Sequence, residues 1–158
     1  MFARALLAFL VLPGLVAILA PPLIAFLDPW RGQACTLGLG VMLAGAIVLL
    51  WCVRDFYVSG KGTLAPWDPP KELVLVGLYR HIRNPMYVGV LLLVLGWAIY
   101  FSSIVLAAYV VVLAVGFHIW VVTYEEPWLK SQFAEKWHVY SEAVSRWLPR
   151  VKPWKNGS

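Results

Sequence analysis

The sequence predicts an all-α integral membrane protein with about four transmembrane helices, the last two forming a tight hairpin, and a C-terminal amphipathic helix at the interface. Three observations carry this. Hydrophobic residues make up 61% of the 158-residue chain and charged residues only 13%, a balance beyond that of soluble globular domains. The charges cluster between long apolar runs, and the mean hydropathy is +0.76. A chain of this length is one domain, here spanning residues 1–158. The net charge of +5 sits beside membrane segments, which points to anionic lipid headgroups and away from nucleic acid.

The first apolar run, Ala5 to Leu27, is long enough to cross a bilayer, which takes ~20 residues. Arg4 ahead of it imitates a secretion signal. The run is longer than such a signal and has no small-residue cleavage site, so a retained helix is expected. Pro13 and Pro21-Pro22 are expected to kink it or end it early. Asp28 to Gln33 forms a turn with Trp30 at the interface.

The second run, Cys35 to Tyr57, carries Gly38, Gly40, Ala44 and Gly45, small residues that let another helix approach closely. Cys35 and Cys52 fall on this one helix, roughly 25 Å apart by helical rise, too far for a disulfide. Residues 58–85 then form the long internal loop, rich in turn signals at Ser59 to Gly62 and Pro66 to Pro70. Gly60-Lys61-Gly62 lacks the spacing of a phosphate loop. Glu72 to Val76 reads as a short extended or interfacial segment. So long a connection in a compact chain is more often functional than passive.

The third run, Met86 to Phe101, measures roughly 24 Å. Ser102-Ser103 separates it from the fourth, Ile104 to Tyr124, and so short an uncharged link predicts an antiparallel hairpin. His118 in the fourth run is expected to be a hydrogen-bonded packing residue. From residue 125 to 158 the tail turns amphipathic: Trp128, Leu129, Phe133 and Trp137 recur near helical spacing, an aromatic face suited to headgroups. Lys and Arg concentrate in the long loop and the tail, so the positive-inside rule puts both on the cytoplasmic side.

Two polar constellations then share one face. Arg80, His81 and Arg83 precede Asn84-Pro85, which reads as a helix start with asparagine as cap and proline at the first position. Positive dipole and free N–H groups there attract an anion. At the end of the fourth run stands Glu125-Glu126, followed by Pro127, whose missing N–H loosens the helix at Thr123. Two carboxylates at an interface are costly unless they bind a cation, an amine or an arginine. No Cys/His cluster has metal-ligand spacing, and no metal site is expected.

Gly77-x-Tyr79-Arg80-x-x-Arg83-Asn84-Pro85-Met86-Tyr87-x-Gly89, with Glu125-Glu126-x-x-Leu129-x-x-x-Phe133-x-x-x-Trp137-x-x-Tyr140 and Pro149, resembles the isoprenylcysteine carboxyl methyltransferase family. Phospholipid N-methyltransferases are similar. The chain departs from that pattern at Asn84 (usually His), Ala134 (usually Gly) and Trp137 (commonly Tyr).

The resemblance implies a methyltransferase dependent on S-adenosylmethionine (SAM), which becomes S-adenosylhomocysteine. It also implies a lipid-like or prenylated acceptor arriving from the bilayer, and an active face in the cytoplasm. Isoprenylcysteine carboxyl O-methylation is the nearest activity and phospholipid N-methylation the alternative. It suggests Arg83 and Glu126 as catalytic residues. Tyr79, Arg80, Asn84, Pro85, Tyr87, Gly89, Glu125 and Glu126 are the expected cofactor contacts. Two other readings compete. An NADPH-dependent membrane reductase generally carries an Arg-Asp-Glu-like triplet where this chain has Tyr124-Glu125-Glu126. A non-catalytic membrane protein would bind no cofactor.

Overall fold

The computed structural model describes residues 10–59 and 72–155; the expected span from Ala5 and the turn signals of residues 60–71 lie partly or wholly outside these. Among the described residues all regular structure is helical. The chain opens with a π-wound segment, Leu10–Leu19, that continues into α1, Ala20–Leu27. The Pro21-Pro22 pair sits in the first turn of α1. The N–H groups it lacks leave carbonyls of the preceding turn open, and Ala17 O accepts from Trp97 Nε1 at 3.1 Å and Val16 O from Tyr109 Oη at 3.3 Å. The run does not end at the prolines but changes there from π to α winding. Next come α2, Leu37–Ser59, and, beyond the loop, a 3-10 turn at Gly77–Arg80. Then follow α3, Pro85–Tyr100, and α4, Ile104–Trp120, which winds through a π turn at Val121–Glu125 into α5, Glu126–Ala143.

Among the described residues two stretches are long and apolar enough to cross a membrane, Leu37–Phe56 and one within Ile104–Ala143; only 22% and 11% of their apolar windows are buried. A soluble protein's core helix would be mostly covered, so these helices turn their apolar side chains outward. Gly14–Leu27 and Pro85–Tyr100 are apolar but shorter.

Helices α2 and α3 touch along glycines. A Cβ on Gly38 would lie 2.5 Å from the Gly96 carbonyl, and one on Gly45 would lie 2.9 Å from that of Gly89. Each pair is seven residues apart along its own helix, so two backbones meet at two levels. Gly40 faces open space and takes no part. Gly89, expected at the cofactor, packs against Gly45, Val48 and Leu49.

At one end of the bundle the turns lock together. Ser103 Oγ donates to Asp28 Oδ2 at 2.5 Å and accepts from the Leu106 amide, which caps α4. Cys35 N–H reaches the Tyr100 carbonyl at 2.9 Å. The Ser102-Ser103 turn closes the α3–α4 hairpin there. Both cysteines are free. All the constellation residues gather at the other end.

Helix α5 turns part of its aromatic face inward. Trp137 and Tyr140 are buried in a cluster with Val144 and Trp154, against Leu73 and Leu75. Trp137 and Tyr140 cover the protein's own loop and tail, which folds back beneath them, while Trp128, Leu129 and Phe133 of the same face stay half-buried. The helix also bends sharply at Ala134, where φ is +35° and ψ −107°. A Cβ is strained in that conformation, and glycine is not. Ala134→Gly is therefore expected to stabilise the protein by ~1 kcal/mol, the reverse of the usual effect of glycine inside a helix. Thermal unfolding in detergent should show this as a rise of roughly 2–4 °C.

Candidate functional site

The motif before α3 and the acidic doublet after α4 meet. Pro127 occupies the first turn of α5 and supplies no N–H, so the ladder widens into the π turn, closed by the Glu126 N–H on the Val121 carbonyl. Such a turn inserts one residue and re-aims the side chains beside it. Both glutamates then face the start of α3. Tyr87 donates to Glu125 Oε2 at 2.8 Å, and Arg83 Nη1 donates to Glu126 Oε1 at 3.0 Å.

A third residue completes the contact. Arg146 grips Glu126 with two bonds of 2.7 Å, Nε to Oε1 and Nη2 to Oε2, the planar fork that suits a carboxylate. All three side chains are largely shielded, with 13%, 17% and 29% of Arg83, Glu126 and Arg146 exposed. Burial lowers the pKa of Arg83, an effect Glu126 opposes and Arg146 reinforces. The hydrogen bonds to Glu126 raise that of Arg146. The Arg83 guanidinium also lies 5.7 Å from the Trp137 ring centre, and its Nε is buried without a partner.

Glu125, just past the apolar run, has no such cation. Burial raises its pKa, the Tyr87 hydroxyl lowers it, and the neighbouring Glu126 raises it again. It is a carboxylate steadied by a phenol, with the aromatic rings of Phe117 and Trp147 beside Tyr87.

Beside the triad opens a cleft of about 510 Å³, lined by Arg83, Glu126 and Trp137 and by Lys130, Ala134, Glu135, His138 and Ser141 of α5. Its volume falls within the range of small-molecule sites. The bend at Ala134 lets both limbs of α5 contribute walls.

The other expected site residues make contacts within the protein. Asn84 makes no side-chain cap; its Nδ2 donates to the Arg146 carbonyl at 3.3 Å. Arg80 Nε donates to the Trp154 carbonyl at 2.7 Å, and the Arg83 N–H to that of Ser145 at 3.0 Å. His81 Nδ1 lies 2.8 Å from the Arg150 carbonyl, which accepts from it. The polar motif thus straps the tail in place. Pro85 is fully buried at the helix start. Tyr79 is buried against Cys52 and Val74, its carbonyl accepting from Tyr140 Oη at 2.7 Å. Burial keeps its phenol pKa well above the ordinary value, so it serves the core. His118 accepts from Trp147 Nε1 at 3.0 Å. Among the described residues no His/Cys/Asp/Glu group could hold a metal ion.

Arg146, Lys130, His138 and Ser141 were not legible as site residues. Arg146 counts only as tail charge in the sequence, and no periodicity ties it to Glu126. The model of one family, described as phospholipid methyltransferase, matches residues 34–136. The chain belongs to the phospholipid methyltransferase family. That match takes in both the motif and the acidic doublet and ends before Arg146. No curated protein and no solved structure matches the chain.

Proposed function

We propose that this member of the phospholipid methyltransferase family is an integral membrane, SAM-dependent methyltransferase that methylates an amine on a lipid-like acceptor. The observation that carries it is the pairing of a small-molecule cleft at the Arg83–Glu126–Arg146 triad with a separate carboxylate, Glu125, that lacks a cation. In this reading the chain crosses the bilayer four times, at about 5–27, 35–57, 86–101 and 104–124, with the triad on the cytoplasmic side. The excess of Lys and Arg in the loop and tail supports that orientation.

The cleft's residues fit SAM. Arg83 has unused donor capacity for a carboxylate, and Trp137 offers an aromatic wall. When bound, SAM supplies an electrophilic methyl group. The chain's own residues align the acceptor and exclude water, which is most of what an in-line transfer requires. Glu125 takes the proton that an ammonium must lose before its nitrogen becomes a nucleophile. Tyr87 orients that carboxylate. Glu126 is engaged by three guanidinium bonds, so it acts as the anchor of the arginines and not as the base.

Carboxyl O-methylation of a prenylated acceptor is the second reading. It is favoured by Arg83 and Lys130 on the cleft wall, which suit an acidic acceptor that needs no base. Purified protein incubated with methyl-labelled SAM and either an aminophospholipid or a prenylcysteine acid separates the two. Label on the aminophospholipid alone supports N-methylation; label on the acid alone replaces it with O-methylation. No label on either and no heat of SAM binding would defeat the methyltransferase reading.

A further inference from the structure

The two arginines on Glu126 are not equivalent. Arg146 takes both carboxylate oxygens, at 2.7 Å each. Arg83 makes one longer bond of 3.0 Å and leaves Nε without a partner. Arg83 lines the cleft, and Arg146 stands behind Glu126, outside the lining. Two cations around one anion leave a positive charge over, held by the arginine that faces the cleft. Arg146 itself is delivered by backbone, its carbonyl held by Asn84 and that of Ser145 by the Arg83 amide.

We infer that Arg146 is a positioning residue: by occupying Glu126 it keeps the Arg83 guanidinium available for the carboxylate of the methyl donor. This rests on the methyltransferase reading above. Without Arg146, Glu126 has only Arg83 to balance it. Arg83 then turns to a forked pairing with Glu126, as guanidinium and carboxylate prefer, and the donor's carboxylate loses its partner. The tail of this chain is on this view part of the cofactor site, although it contributes no atom to the cleft wall.

The test compares two ligands that differ in the group concerned. S-Adenosylhomocysteine carries the amino-acid carboxylate, and 5′-methylthioadenosine keeps the adenosine and thioether without it. Each is titrated calorimetrically into wild type, Arg146→Gln and Arg146→Lys. The expected result is a loss of S-adenosylhomocysteine affinity of about tenfold or more in Arg146→Gln, as for a removed partner in a shielded charge cluster, with a smaller loss in Arg146→Lys. Binding of 5′-methylthioadenosine should stay within about twofold, which also reports that the cleft is folded. Equal weakening of both ligands would overturn the inference, because a merely structural role does not distinguish them. Unchanged S-adenosylhomocysteine affinity in Arg146→Gln would overturn it too. Wild type that binds neither ligand would defeat the methyl-donor reading first, and this inference with it.

Discussion

Glu126→Ala is expected to lose about 3–5 kcal/mol of stability, the usual effect of removing one partner from a buried ion cluster. The reason is local. Arg83 and Arg146 would remain 13% and 29% exposed with no counter-ion, repelling each other where water reaches neither fully. Arg146 would also release its hold on α5. Tryptophan-monitored thermal unfolding in detergent should show a fall of roughly 10 °C, since 1 kcal/mol corresponds to about 2–4 °C in a chain of this size. S-Adenosylhomocysteine binding should vanish in the same variant. An unfolding temperature within about 2 °C of wild type would mean that the three side chains do not form the cluster described.

Glu125→Gln is expected to separate chemistry from binding. Glutamine keeps the shape and accepts the Tyr87 hydrogen bond, but takes up no proton. With an amine acceptor the rate should fall by roughly 10²- to 10⁴-fold, the usual contribution of a general base, while S-adenosylhomocysteine affinity and unfolding temperature stay near wild type. Single-turnover transfer at saturating donor measures the first, and calorimetry the second. A rate within about threefold of wild type would remove Glu125 from the mechanism and favour an acceptor that is already anionic.

Much of the architecture was readable from the chain because its signals are local. Apolar runs gave the helices, the uncharged Ser102-Ser103 pair gave the hairpin, and the small residues Gly38 and Gly45 marked a close helix contact. The widened turn beside Glu125-Glu126 followed from one missing N–H at Pro127. What escaped the sequence depends on distant groups. Asn84 has the chemistry of a cap, but its amide is taken by a carbonyl 62 residues away. Trp137 repeats at helical spacing like a residue that dips into headgroups. It is buried because Trp154 and the loop at Leu73 and Leu75 close over the same cluster. Gly89 belongs to a conspicuous motif, yet its face is fixed by the approach of α2. Arg146 carries no marker at all.

The central claim is that the start of α3 and the acidic doublet act as one site. A double-mutant cycle on Arg83→Gln and Glu126→Gln, read as S-adenosylhomocysteine affinity, tests it most directly. Since residues of one charge cluster couple by ~0.5–3 kcal/mol, the losses in the two single variants should overlap, and the double variant should bind little worse than the weaker single. Losses that simply add, or single variants that bind like wild type, would contradict it.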